Sequence, residues 1–328
     1  MDISLDSVAV ANGGFFTRAQ ALDCGWVDRE LRMALRMRLI TRLRQGAYAF
    51  TTPYEALDEV GRHVVLARAV VHQQRGRVAL TGVSAAAMHG LTLWGQDLAR
   101  VHVVRLDRGS ARCEQGVCHH VVGDDIASHV VSIDQVPVVT LARTVWEVAS
   151  SSTLESGVCT VDSALHRQPD LTDQLREQSE LFRHRPGSRS ARMILRLADP
   201  GAESAGESLS RVLFYRGGIA RPELQFKVYG SDGRLIGVSD CYWPECRHLG
   251  EFDGKAKYGR LLRPGEEPGD AVFREKRRED EMRGEQLGMS RWIWSDLMQA
   301  GQSGFLRRLR SDLERSARLY ASALTVIA

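Results

Sequence analysis

At 328 residues, 43% hydrophobic and 26% charged, the chain is long enough for two or three domains with sizeable cores. The formal net charge of +3 is modest, but the cations are mostly arginine, which favours bidentate contacts to phosphate and carboxylate. No apolar run reaches the ~20 residues a bilayer requires, Asp2 and Asp6 interrupt any apolar leader, and the six cysteines contain no CxxC pair. A membrane partner and a secretory signal are thereby excluded as expectations, and the cytosol is the expected compartment.

Residues 1–52 are expected to form a small helical module closed by a β-hairpin. Thr17 is placed to cap a helix through Arg18-Ala19-Gln20-Ala21-Leu22, and Gly25 suits the turn that ends it. A second helix begins at Asp28, with Leu31, Ala34 and Leu35 at helical spacing. Leu39–Leu43 and Ala47–Phe50 read as two short strands around Gln45-Gly46. Helix, turn, helix and hairpin is the order of a winged helix-turn-helix. Arg29, Arg32, Arg36 and Arg38 lie on or just after the second helix, and Arg42 and Arg44 fall in the wing. Cations so placed neutralise phosphates and seat the helix in the major groove of DNA; the same pattern also suits a solvated basic helix.

Residues 53–170 open with a long helical pattern through Val64, Val65, Ala67, Val70 and Val71. Ser84 is expected to cap a short helix of small residues, and His89 to be a satisfied, partly buried histidine. Strands are expected at Val101–Val104, Val121–Val122, Val130–Ile133 and Val136–Val139, followed by an amphipathic helix at Thr140–Ala149. Cys113, Cys118, His119 and His120 have the ligand chemistry of zinc, but their spacing matches none of the usual structural-zinc patterns.

The segments FFTRAQALDCGW, RLITRLRQGAYAF, ALTGVSAAAMHGL and PVVTLARTVWEVA, spread over roughly residues 10–165, resemble AbiEi-family antitoxin-like proteins. That resemblance implies a winged helix followed by an α/β domain, promoter DNA as partner, and a role in countering a nucleotidyltransferase-type toxin.

From residue 171 to 328 a third domain is expected, with its boundary near residue 170. Helices are read at Asp170–Phe182 and Ser190–Leu197, followed by the Asp199-Pro200-Gly201 turn. Next come a helix at Gly206–Phe214, strands at Pro222–Tyr229, Leu235–Cys241 and Leu249–Asp253, a charged helix at Arg274–Leu287 and a last strand at Trp292–Trp294. The order is α-β-β-β-α-β, and Ser303–Ala328 reads as a terminal pair of helices. Side chains repeat on one strand face with period two, so Glu251 and Asp253 point the same way, joined by Lys255 if the strand continues through Gly254. Carboxylates gathered like this repel one another unless a cation lies among them, and Mg²⁺ prefers oxygen ligands.

The segments GESLSRVLF, PELQFKV, GVSDCYWPE and GEFDGKAKY are similar to the PD-(D/E)xK nuclease superfamily, in particular to its compact branch related to very-short-patch repair endonucleases. The resemblance implies a restriction-endonuclease-like three-layer domain with a mixed sheet. It matches Glu207 to the helix glutamate, Gln225 to a glutamine on the first strand, Asp240 to the strand aspartate and Glu251 to the next acidic position. Asp253 stands where the general pattern has lysine. Either Lys255 supplies the motif lysine, or Asp253 replaces it with Lys255 or Lys257 nearby. Asp240, Glu251 and Asp253 would then hold Mg²⁺ for phosphodiester hydrolysis. Arg277, Arg278 and Arg283 would reach phosphates or, paired with Glu275, Glu279, Asp280 and Glu281, form a solvated face.

The expectation is thus an α/β (multidomain α+β) protein that binds DNA. Its C-terminal domain is either a Mg²⁺-dependent endonuclease or the structural part of a non-enzymatic antitoxin-like repressor.

Overall fold

The computed structural model describes residues 4–107, 109–121, 126–254 and 268–320. It is a mixed α/β structure with one antiparallel and two mixed sheets. The chain divides into two compact units, Met1–Thr160 with Asp170–Leu195, and Val161–Pro169 with Arg196–Ala328.

The first unit begins with α1 (Leu5–Ala11), β1 (Phe16–Thr17), α2 (Arg18–Asp23) and α3 (Asp28–Arg36), followed by β2 (Ile40–Arg44) and β3 (Ala47–Phe50). Thr17 starts α2 as expected, and it forms a reciprocal capping box with Gln20. α3 buries Leu31 and Ala34 against Phe16, Ile40 and Tyr48, leaving its other face in solvent. The strands lie in the order β1-β3-β2. β1, only two residues long, pairs Phe16 with Tyr48.

After α4 (Thr51–Glu55), the long α5 (Glu59–Gln74) is capped by Asp58, which accepts from the Gly61 amide at 2.7 Å. α5 packs Ala67, Val70 and Val71 on a sheet built from β4 (Val78–Leu80), β5 (Val101–Arg105), β6 (Arg112–Glu114), β7 (Val117–His120), β8 (Val130–Ile133) and β9 (Val136–Val139). Their order is β6-β7-β5-β4-β9-β8, with β4/β9 and β5/β7 parallel. All three residues of β4 are buried, the pattern of a strand covered on both faces.

The short helix α6 (Gly82–Met88) is capped at Thr81 rather than Ser84. Ser84 sits inside it, with its hydroxyl bonded to His63 Nε2 at 2.9 Å and to the His102 amide at 2.8 Å. His89 Nε2 lies 2.8 Å from the Val139 carbonyl, and burial lowers its pKa. Cys113 and Cys118 are joined by a disulfide across the β6–β7 hairpin, so neither thiol is free to act as a metal ligand. The strand expected at Val121–Val122 lies earlier, at Val117–His120, and Val122 is outside the described residues.

α7 (Leu141–Ser151) and α8 (Leu154–Arg167) follow, then α9 (Leu171–Leu181) and α10 (Ser188–Leu197). Asp170–Leu195 belongs to the first compact unit, and Val161–Pro169 to the second. Just after α9, Phe182 packs beside Trp146 of α7, and the Arg143 guanidinium rests 4.1 Å from its ring centroid.

The second unit holds α11 (Ala205–Arg216), β10 (Glu223–Tyr229), β11 (Leu235–Trp243), β12 (His248–Asp253), α12 (Pro268–Gly284), β13 (Gly288–Ile293), α13 (Trp294–Leu297) and α14 (Gln299–Tyr320). The expected α-β-β-β-α-β order is present. The sheet runs β10-β11-β12-β13, and only β12/β13 is parallel. α12 lies between those two strands in sequence and makes the crossover a parallel pair needs.

On one sheet face Phe214 of α11 meets Trp243, Trp292 and Phe305 of α14. On the other, Met282 of α12 packs with Val228, Leu249 and Met289. The sheet is therefore the middle of three layers. Gly288 belongs to β13 instead of ending the preceding helix, and α14 is one helix through Tyr320 rather than a pair. Among the described residues no helix is long and apolar enough to cross a membrane.

Candidate functional site

The acidic residues singled out by sequence collect where β11 and β12 part. The ladder between them ends at Cys241↔Gly250, and one step beyond stand Asp240 and Glu251. Side chains replace the missing backbone pairing. Ser239 Oγ donates to the Gly250 carbonyl at 3.1 Å, and the Phe252 amide donates to Asp240 Oδ2 at 2.8 Å. Gln225, between the pairs Leu224↔Cys241 and Phe226↔Ser239, comes opposite Asp240 on β10. Its φ of 52° puts it in the left-handed region, which for a non-glycine residue inside a strand is a local strain.

Glu207 is in the first turn of α11, whose N-cap Ser204 accepts from the Glu207 amide. The buried Glu207 carboxylate accepts from Ser204 Oγ at 2.7 Å, from the Glu203 amide at 2.9 Å and, at 3.4 Å, from Gln225 Nε2. The structure thus joins Glu207 to Gln225 and sets Asp240 beside Glu251. The buried Cys241 thiol has its pKa pushed well up, first by burial and then by the charges of Asp240 and Glu207.

Glu251 is held differently from the expectation. It is 8% exposed; Oε1 accepts from Arg278 Nη2 at 2.8 Å and Oε2 from Arg291 Nη2 at 2.7 Å. Arg278 comes from α12 and also donates to the Val238 carbonyl at 3.1 Å. Arg291 is the β13 partner of Glu251 in the parallel register, and its other end reaches Glu279 at 3.4 Å. The cations among these carboxylates are therefore guanidiniums.

Both Glu251 oxygens and one Asp240 oxygen have protein donors, and among the described residues no three His, Cys, Asp or Glu side chains are grouped to hold a metal. Asp253 is half-buried at the end of β12, and Lys255 and Lys257 lie outside the described residues. Of the other arginines of α12, Arg283 bonds Glu279 at 2.8 Å, the i,i+4 pairing of a solvated face.

The second candidate is the exposed face of α3. Arg29, Arg32, Arg36, Arg38 and Arg42 are all exposed, and none forms a salt bridge to a described residue. Met33 and Met37 lie between them on the same helix and are also exposed, at 49% and 63%. Arg18 is excluded from this set because it makes a two-pronged bond to Asp28, at 2.7 and 2.5 Å, which pins the start of α3. Arg44 differs from the other wing arginine. It is half-buried, its Nη1 is enclosed without a hydrogen-bond partner, and burial lowers its pKa.

Arg291 is a member of this site that the sequence does not announce. Its only signal is a register between strands on either side of a helical crossover, which spacing along the chain does not encode.

No family model matches the chain. Over 112 residues, 34% of this chain, it is 33% identical to uncharacterized protein MT2308 of Mycobacterium tuberculosis (strain CDC 1551 / Oshkosh) and to uncharacterized protein Rv2248 of strain ATCC 25618 / H37Rv. The match spans 41% of each of those proteins, so the chain covers about two fifths of the curated relatives it matches. Among solved structures it is similar to the RV2827C protein from Mycobacterium tuberculosis, with a TM-score of 0.37 and 15% identity over 68% of this chain and 88% of that one.

Proposed function

We propose that the chain is a DNA-binding protein that docks on duplex DNA through α3 and the β2–β3 hairpin. The observation that carries this reading is the row of exposed arginines on α3, Arg29, Arg32 and Arg36, which form no salt bridge to a described residue, followed by a hairpin whose Arg42 is also exposed. The element order α1-β1-α2-α3-β2-β3 with strand order β1-β3-β2 is that of a winged helix and supports the same reading. α3 would lie in the major groove, and Arg42 in the wing would meet the flanking phosphates. Together with the resemblance to AbiEi-type proteins, this favours a regulator acting at a promoter, with a nucleotidyltransferase-type toxin as the partner to seek. The test is anisotropy of labelled duplexes. Replacing Arg32 and Arg36 with alanine should weaken binding on every sequence, whereas Asp240→Ala should leave it unchanged. Equal binding by the double variant would overturn the proposal.

A second reading, DNA cleavage by the C-terminal unit, is favoured by a specific observation. Glu207 meets Gln225 while Asp240 stands beside Glu251, the set that the nuclease resemblance names. It requires Glu251 to leave both guanidiniums. Cleavage that needs Mg²⁺ and is lost in both Asp240→Ala and Glu251→Ala would establish it. Intact DNA across duplex, mismatched and single-stranded substrates would leave the second unit as a structural or partner-binding domain.

A further inference from the structure

The first unit contains a cavity of about 470 Å³ that neither DNA docking nor the acidic cluster uses. Its size is that of a small-molecule site. Part of its wall is apolar, formed by Val83, Val104, Trp146 and Phe182. Polar groups complete the lining.

Phe182 gathers two guanidiniums, Arg143 at 4.1 Å and Arg185 at 5.0 Å from its ring centroid. Arg143 is only 6% exposed, and its Nε donates to Glu147 Oε1 at 2.7 Å. Glu147 has other donors as well, since Oε2 accepts from Thr81 Oγ1 and from the Gly82 amide. The Nη groups of Arg143 have no acceptor among the described residues. A largely buried guanidinium whose outer donors have no protein acceptor among the described residues, beside a second guanidinium, is placed to receive an anion.

The same lining holds a histidine pair: His102 Nδ1 lies 2.9 Å from His120 Nε2, so one ring donates to the other and each keeps a second ring nitrogen. Asp97 lines the same side and interacts with His102 and His63. Burial, followed by the neighbouring His120, lowers the pKa of His102.

We infer that this cavity binds a small organic anion with a flat unsaturated body. Its carboxylate or phosphate lies on Arg143 and Arg185, its body lies along Trp146 and Val104, and its far edge bonds to the histidine pair. Two sources share that chemistry, nucleoside monophosphates and aromatic carboxylates.

Calorimetric titration of the full chain separates them, with AMP and GMP in one arm and salicylate and indole-3-acetate in the other. Adenosine and indole serve as uncharged counterparts. One arm should bind, and its uncharged counterpart should bind at least ~10-fold more weakly, because a charge-assisted hydrogen bond contributes about 1.5–3 kcal/mol and 1.4 kcal/mol is a factor of ten. Arg185→Ala should weaken binding by a similar factor. Ser151→Trp, at an exposed position of the wall, should abolish it by filling the space. Both positions are on the surface, so the melting temperature of each variant without ligand should match that of the parent chain. Binding by neither arm, equal binding of the uncharged counterparts, or binding that survives Ser151→Trp would each overturn the proposal.

Discussion

Glu251 is where the residue-scale chemistry is most informative. A carboxylate this buried needs its charge answered, and Arg278 and Arg291 answer it from a helix and a neighbouring strand. Replacing it with glutamine removes the charge and leaves two guanidiniums facing each other. Glu251→Gln should therefore cost about 2–3 kcal/mol, at the low end for a broken buried pair because both arginines are partly solvated. Urea unfolding of the two proteins measures it, and a loss under 0.5 kcal/mol, the range of an ordinary surface change, would show that the clamp contributes little.

His248 provides a second residue-scale test. It is 1% exposed, with Nδ1 2.7 Å from Ser316 Oγ and Nε2 2.9 Å from Ser290 Oγ. Burial, assisted by Arg283 and Arg315 and opposed by Asp312, lowers its pKa from 6.5 to about 4. The unfolded chain therefore takes up this proton first as pH falls. Stability attributable to His248 is full above pH 6.5 and is lost as pH falls from 6.5 towards 4. The loss approaches about 3 kcal/mol, because each tenfold difference in proton affinity between the folded and unfolded chain corresponds to about 1.4 kcal/mol. His248→Gln keeps hydrogen-bonding capacity without the titration, so the stability difference between parent and variant should change across that window. A difference independent of pH would contradict the assignment.

At the scale of elements, close packing of α11 on the sheet depends on a missing side chain. A Cβ at Gly206 would overlap the Phe252 ring, which packs edge-on against Trp294. Gly206→Ala should destabilise the second unit by about 1–3 kcal/mol despite alanine's better helix propensity. Gly284→Ala is the matched control, since its Cβ would meet nothing within 4 Å. It should be neutral or slightly stabilising in a thermal melt, and equal losses in the two variants would refute the packing explanation.

Elements also mark how far the sequence could be read. The starts of α2 and α3 and the hairpin after them were legible because caps, helical spacing and a Gln45-Gly46 turn are local signals. β1 was not, because a strand of two residues exists only through its pairing with β3, Phe16↔Tyr48 and Thr17↔Ala47, about thirty positions away. Ser84 does not cap α6: the N-cap position falls at Thr81, the Gly82 amide donates to Glu147, and the Ser84 hydroxyl is committed to the distant His63 and His102. At the acidic site, the members Glu207, Gln225, Asp240 and Glu251 were readable, but their state was not. The two arginines on Glu251 are brought there by a crossover and a helix face, and the left-handed backbone of Gln225 leaves no mark in residue type.

At the scale of the molecule, Asp240 and Glu251 belong to one compact unit and Arg29, Arg32 and Arg36 to the other. That separation makes DNA docking through α3 testable on the intact chain. The most direct measurement is the salt dependence of affinity for a random-sequence 30-base-pair duplex, for the parent chain and for the double variant Arg32→Ala, Arg36→Ala. Each phosphate contact adds about 0.9 to the magnitude of the slope of log K against log salt. If both arginines neutralise phosphates, the magnitude should fall by about 1.8 and affinity should drop on every sequence. An unchanged slope, with the variant folded and binding as tightly as the parent, would contradict the assignment of α3 as the DNA-binding element.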